Sequence, residues 1–186
     1  MELSNARDLS ITQEQYLEII YRKTASLLSV SCRMGAMLAE TGPETEDALT
    51  AYGEDIGIAF QLVDDAMDYD STEDILGKPV GTDFKEGQVT LPLIILYQKA
   101  SASLKEEIEG FIQNENLSKK EFDYILENMR KYKVIDDTLD LAKHYVEQAK
   151  KRLKVASLQA PEYVESFHAV ADNIIERHAT QVINQT

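Results

Sequence analysis

The amino-acid sequence predicts an all-α fold. Apolar residues recur at helical spacing over long stretches, capping residues precede these stretches, and β-branched alternation with hairpin dipeptides is missing throughout. No internal repeat or low-complexity tract interrupts the pattern, and one core of ordinary size accommodates a single all-helical domain over residues 1–186, 44% of them hydrophobic.

From Thr12 to about Glu40, Leu17, Ile20, Tyr21, Thr24, Leu27, Leu28, Met34 and Leu38 follow the period of one long helix. Thr12 with Gln15 forms its capping box, and Gly42 is its expected stop. A second helix begins at Pro43, where a missing N–H costs nothing, and runs to about Tyr69 through Leu49, Tyr52, Ile56, Phe60, Val63 and Met67. Residues 71–89 carry Gly77, Pro79, Gly81 and Gly87 without a sustained period and read as one long loop. Further helices are expected from Leu91 to about Ala100, Ser103 to Gln113, Ser118 to Tyr132, Asp136 to Ser157, and Pro161 towards Arg177. Capping boxes are expected at Ser103 with Glu106 and at Ser118 with Glu121.

Charge narrows the function. With 33 acidic and 19 basic residues the net charge is −14, which repels phosphate backbones and anionic lipid surfaces, so nucleic acid is excluded as a partner. Cys32 is the only cysteine, which rules out an intrachain disulfide and suits a reducing, cytoplasmic compartment. The first residues show no basic region followed by an apolar one, and no run is long and apolar enough for a membrane span.

The chemistry concentrates at the end of the second helix. Asp64, Asp65 and Asp68 stand at i, i+1 and i+4, so Asp64 and Asp68 lie about 40° apart around the axis and one turn from each other. Gly57 and Gln61 extend this stripe backwards, beside the apolar stripe of Ile56, Phe60, Val63 and Met67, so the acids are expected to flank the buried face. Carboxylates at a helix C-terminus oppose the macrodipole by roughly 0.3–1 kcal/mol each, an arrangement that invites a functional explanation. Oxygen donors without sulfur or imidazole select hard cations, and Mg²⁺ typically combines one or two carboxylates with substrate phosphate oxygens. A diphosphate substrate follows, with divalent ions bridging it to the acidic site. An EF-hand reading starting at Asp68 fails because Glu73 and Pro79 stand at its glycine and glutamate positions.

The segment FQLVDDAMDYD followed by LGKPVGTDFKEGQVTLPLI resembles the second aspartate-rich region of trans-type polyprenyl diphosphate synthases. YLEIIYRKTASLLSVSCRMGAMLA resembles the Lys-Thr helix of the same family, and together the two cover about Thr12 to Tyr97. The resemblance implies an isoprenoid-synthase-type helical bundle, of which this chain is the C-terminal portion only. It implies that Asp64, Asp65 and Asp68 hold Mg²⁺ against an allylic diphosphate, that Lys23, Thr24 and Lys78 contact that diphosphate, and that Gln61 lies near the reacting carbons. Asp83 matches an acidic loop residue, while Gln88 departs from the family's lysine and Lys85 is a candidate substitute.

The implied reaction condenses isopentenyl diphosphate with an allylic diphosphate. The family's first aspartate-rich motif and isopentenyl diphosphate site have no counterpart in the residues before Thr12. The expectation is therefore an incomplete site, inactive alone, in a chain that associates with itself or pairs with an N-terminal synthase half. The alternative is a non-catalytic helical partner that regulates an intact synthase.

Overall fold

The computed structural model describes residues 7–70, 80–114, 117–156, 158 and 161–183, with side chains described up to residue 178. Lys78 and the glycine-proline stretch around it therefore lie outside the described residues, which contain helices and no strand.

The first expected helix is present with a defect. α1 (Gln13–Ile20) opens on the Thr12–Gln15 capping box: the Thr12 N–H donates to Gln15 Oε1 at 2.8 Å and the Gln15 N–H to Thr12 Oγ1 at 3.2 Å. The chain then makes a π-helical turn (Tyr21–Ala25), closed by the Ser26 N–H on the Tyr21 carbonyl, before α2 (Ser26–Leu38). Gly42 is not the stop. The Thr41 and Glu40 N–H groups donate to the Ala36 and Met37 carbonyls, and Glu40 itself takes the left-handed conformation at φ +52°, a Schellman-type end on a non-glycine residue.

α3 (Pro43–Asp70) matches its expected bounds closely. Residues 71–89 are not loop throughout, because a short α4 (Thr82–Lys85) follows Gly81. α5 (Leu91–Lys99) buries every residue from Leu91 to Leu96, which explains its lack of an amphipathic pattern. α6 (Ala102–Gln113) starts earlier than expected: Ser101 is its cap, accepting from the Leu104 N–H at 3.3 Å, in place of Ser103. α7 (Lys119–Lys131) carries the full Ser118–Glu121 capping box. α8 (Val134–Val155) begins two residues before the expected Asp136, and α9 (Pro161–Ile183) runs beyond Arg177.

The chain divides into two compact units, Met1–Tyr16 with Asp64–Thr138 and Leu17–Val63 with Leu139–Thr186. In the first, the fully buried Phe84, Leu91, Leu93, Leu96, Ile108, Ile125, Met129 and Val134 form the core. In the second, Gly53 and Gly57 bring two backbones together: a Cβ on Gly57 would stand 2.4 Å from Ala25 Cα, and one on Gly53 2.6 Å from the Leu28 carbonyl oxygen. The same unit pins α9 through the Tyr52 hydroxyl, which donates to the Phe167 carbonyl at 2.7 Å with the two rings edge to face. Arg152 meets Asp55 at 3.3 Å, and the Thr45 hydroxyl donates to the Ala156 carbonyl at 2.8 Å.

Candidate functional site

In the unit that contains Leu17–Val63, the π-turn carries Lys23 and Thr24. π-turns cost backbone geometry and recur at functional positions. Here the turn packs on Gly57, whose missing side chain leaves room for Ala25. Lys23 is exposed, while the Thr24 hydroxyl donates to Gln61 Oε1 at 2.9 Å. The turn thus ties Thr24 to the glutamine that the sequence singles out. Phe60, expected on the buried stripe, is instead 36% exposed and stacks against the Arg177 guanidinium at 4.7 Å.

In the other unit, the aspartates are not a solvated fringe flanking the buried face. Asp65 and Asp68 are 1% and 0% exposed, whereas Asp64 is half-buried. Burying carboxylates requires hydrogen-bond donors. Asp65 accepts a short hydrogen bond from the Tyr16 hydroxyl, and Asp68 Oδ2 accepts from the Asp83 N–H at 3.0 Å. Burial, then the charge of Asp65 and its hydrogen bond, push the Tyr16 phenol far above its usual range, so it remains a donor. Burial does the same to Tyr69, although its contact with Thr90 works the other way.

Tyr16 and the Asp83 main chain are contributions that spacing alone did not single out in these roles. The signal for Tyr16 was available: it stands one residue after the Thr12–Gln15 capping box, and its own N–H donates to the Thr12 carbonyl at 2.9 Å. The approach to Asp83 is set by Gly81, at φ +73°, whose N–H donates to the Asp68 carbonyl at 2.8 Å. Lys85 donates to the Val80 carbonyl at 2.9 Å and lies 5.0 Å from the centre of the Phe122 ring, while Gln88 donates to Glu86.

The donor set fits Mg²⁺ by its chemistry: oxygen only, anionic, and on consecutive turns of one helix. Among the described residues no group of three or more acidic, histidine or cysteine side chains forms a ready cage.

Residues 1–129 match the polyprenyl synthetase family model. The chain is 34% identical over 169 residues to the short chain isoprenyl diphosphate synthase of Methanothermobacter thermautotrophicus, covering 91% of this chain and 51% of that protein. It is 35% identical over 138 residues to heptaprenyl diphosphate synthase component 2 of Bacillus subtilis, covering 74% and 38%. Among solved structures, the polyprenyl synthase of Caulobacter crescentus CB15, crystallised with calcium and isoprenyl diphosphate, superposes with a TM-score of 0.88 at 36% identity, covering 95% of this chain and 53% of that one. The chain thus spans about half the length, or less, of these relatives. With the aspartate-rich helix, the Lys-Thr turn and the helical fold all in agreement, the chain belongs to the polyprenyl synthetase family.

Proposed function

We propose that this chain supplies the magnesium-diphosphate side of a prenyltransferase that condenses isopentenyl diphosphate with an allylic diphosphate, giving linear trans-polyprenyl diphosphates. The observation that carries this reading is the trio Asp64, Asp65 and Asp68 on α3, two of them buried and held by Tyr16 and Asp83, in a chain of this family.

In the reaction, the allylic C–O bond breaks with its electron pair leaving on diphosphate. The double bond of isopentenyl diphosphate then attacks the allylic cation, and a proton is lost. Mg²⁺ supplies charge neutralisation for the departing diphosphate when it is bound by Asp64, Asp65 and Asp68. Lys23 and Lys78 are both assigned contacts with the diphosphate from the family resemblance, where a lysine supplies a compact positive charge. Thr24 orients Gln61 through their hydrogen bond, beside reacting carbons that must be kept from water.

Pairing with an N-terminal synthase half, or self-association, fits the surface. Leu27, Val30, Met34, Met37 and Leu38 share one face of α2 and are all more than half exposed, Leu38 at 83%. A cytoplasmic location fits the lone Cys32, and among the described residues no helix is long and apolar enough to cross a membrane.

The test mixes the chain with the N-terminal half of a homologous synthase, an allylic primer, Mg²⁺ and labelled isopentenyl diphosphate. Incorporation that needs both halves and disappears in Asp64→Ala supports the proposal; incorporation that persists in the variant refutes the site. If the mixture is silent but the chain changes the output of an intact synthase even without its three aspartates, it is a regulatory partner.

A further inference from the structure

The two neighbouring aspartates of α3 differ in their surroundings. Residues i and i+1 diverge by about 100° around a helix, so Asp64 and Asp65 leave it in different directions and meet different neighbours. Asp64 stays half-buried, whereas Asp65 is turned into the core and meets the Tyr16 hydroxyl. A buried carboxylate has few alternative rotamers once a rigid aromatic donor holds one oxygen, and Tyr16 is itself rigid. It is 5% exposed, and its main chain is locked into the first turn of α1 by the Tyr16 N–H on the Thr12 carbonyl at 2.9 Å.

The capping box therefore reaches the aspartates through a short covalent and hydrogen-bonded path. Gln15 and Thr12 fix the start of α1, the start of α1 fixes Tyr16, and Tyr16 fixes the plane of the Asp65 carboxylate. The Asp83 N–H holds the next aspartate of the helix in a comparable way, donating to Asp68 at 3.0 Å. Partners of this kind around metal-binding carboxylates set orientation, and their loss typically costs 10–100-fold in metal affinity.

We infer that Tyr16 is a positioning residue for divalent-cation and diphosphate binding, acting through its hydrogen bond to Asp65. The inference rests on the proposed magnesium-diphosphate role of the aspartates and deepens it by naming what holds one of them in place.

The test uses the whole chain, alone and in complex with the N-terminal half of a homologous synthase, with Mn²⁺ and inorganic pyrophosphate as the probe. Mn²⁺ affinity is read by electron paramagnetic resonance for wild type, Tyr16→Phe, Asp65→Asn and the double variant. Tyr16→Phe is expected to weaken Mn²⁺ binding about 10-fold or more. In the Asp65→Asn background it should cost nothing further. A purely structural tyrosine would lower the thermal midpoint of the metal-free protein and leave Mn²⁺ affinity unchanged; that result overturns the inference, as does an equal loss in both backgrounds.

Wild type that binds no Mn²⁺ with pyrophosphate while remaining folded would instead remove the parent reading, and the inference with it. Should Tyr16→Phe fail to fold, 3-fluorotyrosine placed at position 16 keeps the phenol. Its fluorine resonance should shift on saturation with Mg²⁺ and pyrophosphate, and an unmoved resonance overturns the proposal.

Discussion

The main-chain N–H of Asp83 donates to the Asp68 carboxylate at 3.0 Å, so the segment after the aspartate-rich helix is tied back to that helix by one of its own acids. Gly81 makes the tie possible. At φ +73° it donates to the Asp68 carbonyl, and a Cβ there would fall 1.9 Å from the nearest Phe122 ring atom. Gly81→Ala is expected to lower stability by about 1–3 kcal/mol through strain and overpacking, measured by urea unfolding. The same variant should weaken Mg²⁺-pyrophosphate binding, because Asp68 loses its fixed donor.

Gly57 governs the other group of residues. A methyl at this position would have to displace the backbone at Ala25, the last residue of the π-turn that carries Lys23 and Thr24. Gly57→Ala should destabilise the fold by roughly 1–3 kcal/mol, and chemical-shift mapping should find the changes concentrated at residues 21–25. Undisturbed resonances there would show that the turn does not depend on this contact.

Thr24 and Gln61 provide a cleaner energetic test, since their hydrogen bond at 2.9 Å is part-buried. Thr24→Val removes the hydroxyl at constant shape and is expected to cost about 0.5–1.5 kcal/mol. A double-mutant cycle with Gln61→Leu should return a coupling energy of the same order, and a cycle with no coupling would mean the two side chains are merely adjacent.

Asp55 gives the acid range a predictable slope. Burial raises its carboxyl above the ordinary aspartate value and outweighs the opposing hydrogen bond and charge of Arg152, with Glu54 raising and His144 lowering it further. Since the folded value lies above the unfolded one, the folded protein holds this proton more tightly. Its stabilising contribution is complete below the unfolded value and is lost as pH rises through the folded one. Asp55→Asn should therefore flatten this part of the stability profile just above the ordinary aspartate range, compared by urea unfolding at each pH.

Much of the helical framework could be read from the sequence because local signals and tertiary packing agree. The Thr12 and Ser118 boxes cap the helices they were expected to cap, and Pro43 opens α3. Reading failed where packing overrides local pattern. Ser101 displaces Ser103 as the α6 cap, and Glu40 accepts the left-handed conformation one would give to Gly42. The π-turn has no signature in apolar spacing, since one inserted residue shifts the register by less than a turn. For the aspartates, helical spacing identified the cluster but not its depth. Whether Asp65 and Asp68 are solvated depends on Tyr16 and on the segment after Gly81, which approach from distant parts of the sequence.

The claim on which everything else depends is that Asp64 and its neighbours bind magnesium together with a diphosphate. Isothermal titration of Mg²⁺ and pyrophosphate into the chain assembled with an N-terminal synthase half measures it directly. Saturable binding is expected for wild type, with affinity falling in Asp64→Ala by at least the roughly 10–100-fold loss typical of removing even an outer partner. Equal affinity in the two proteins, or no binding to a folded and assembled wild type, would contradict the account.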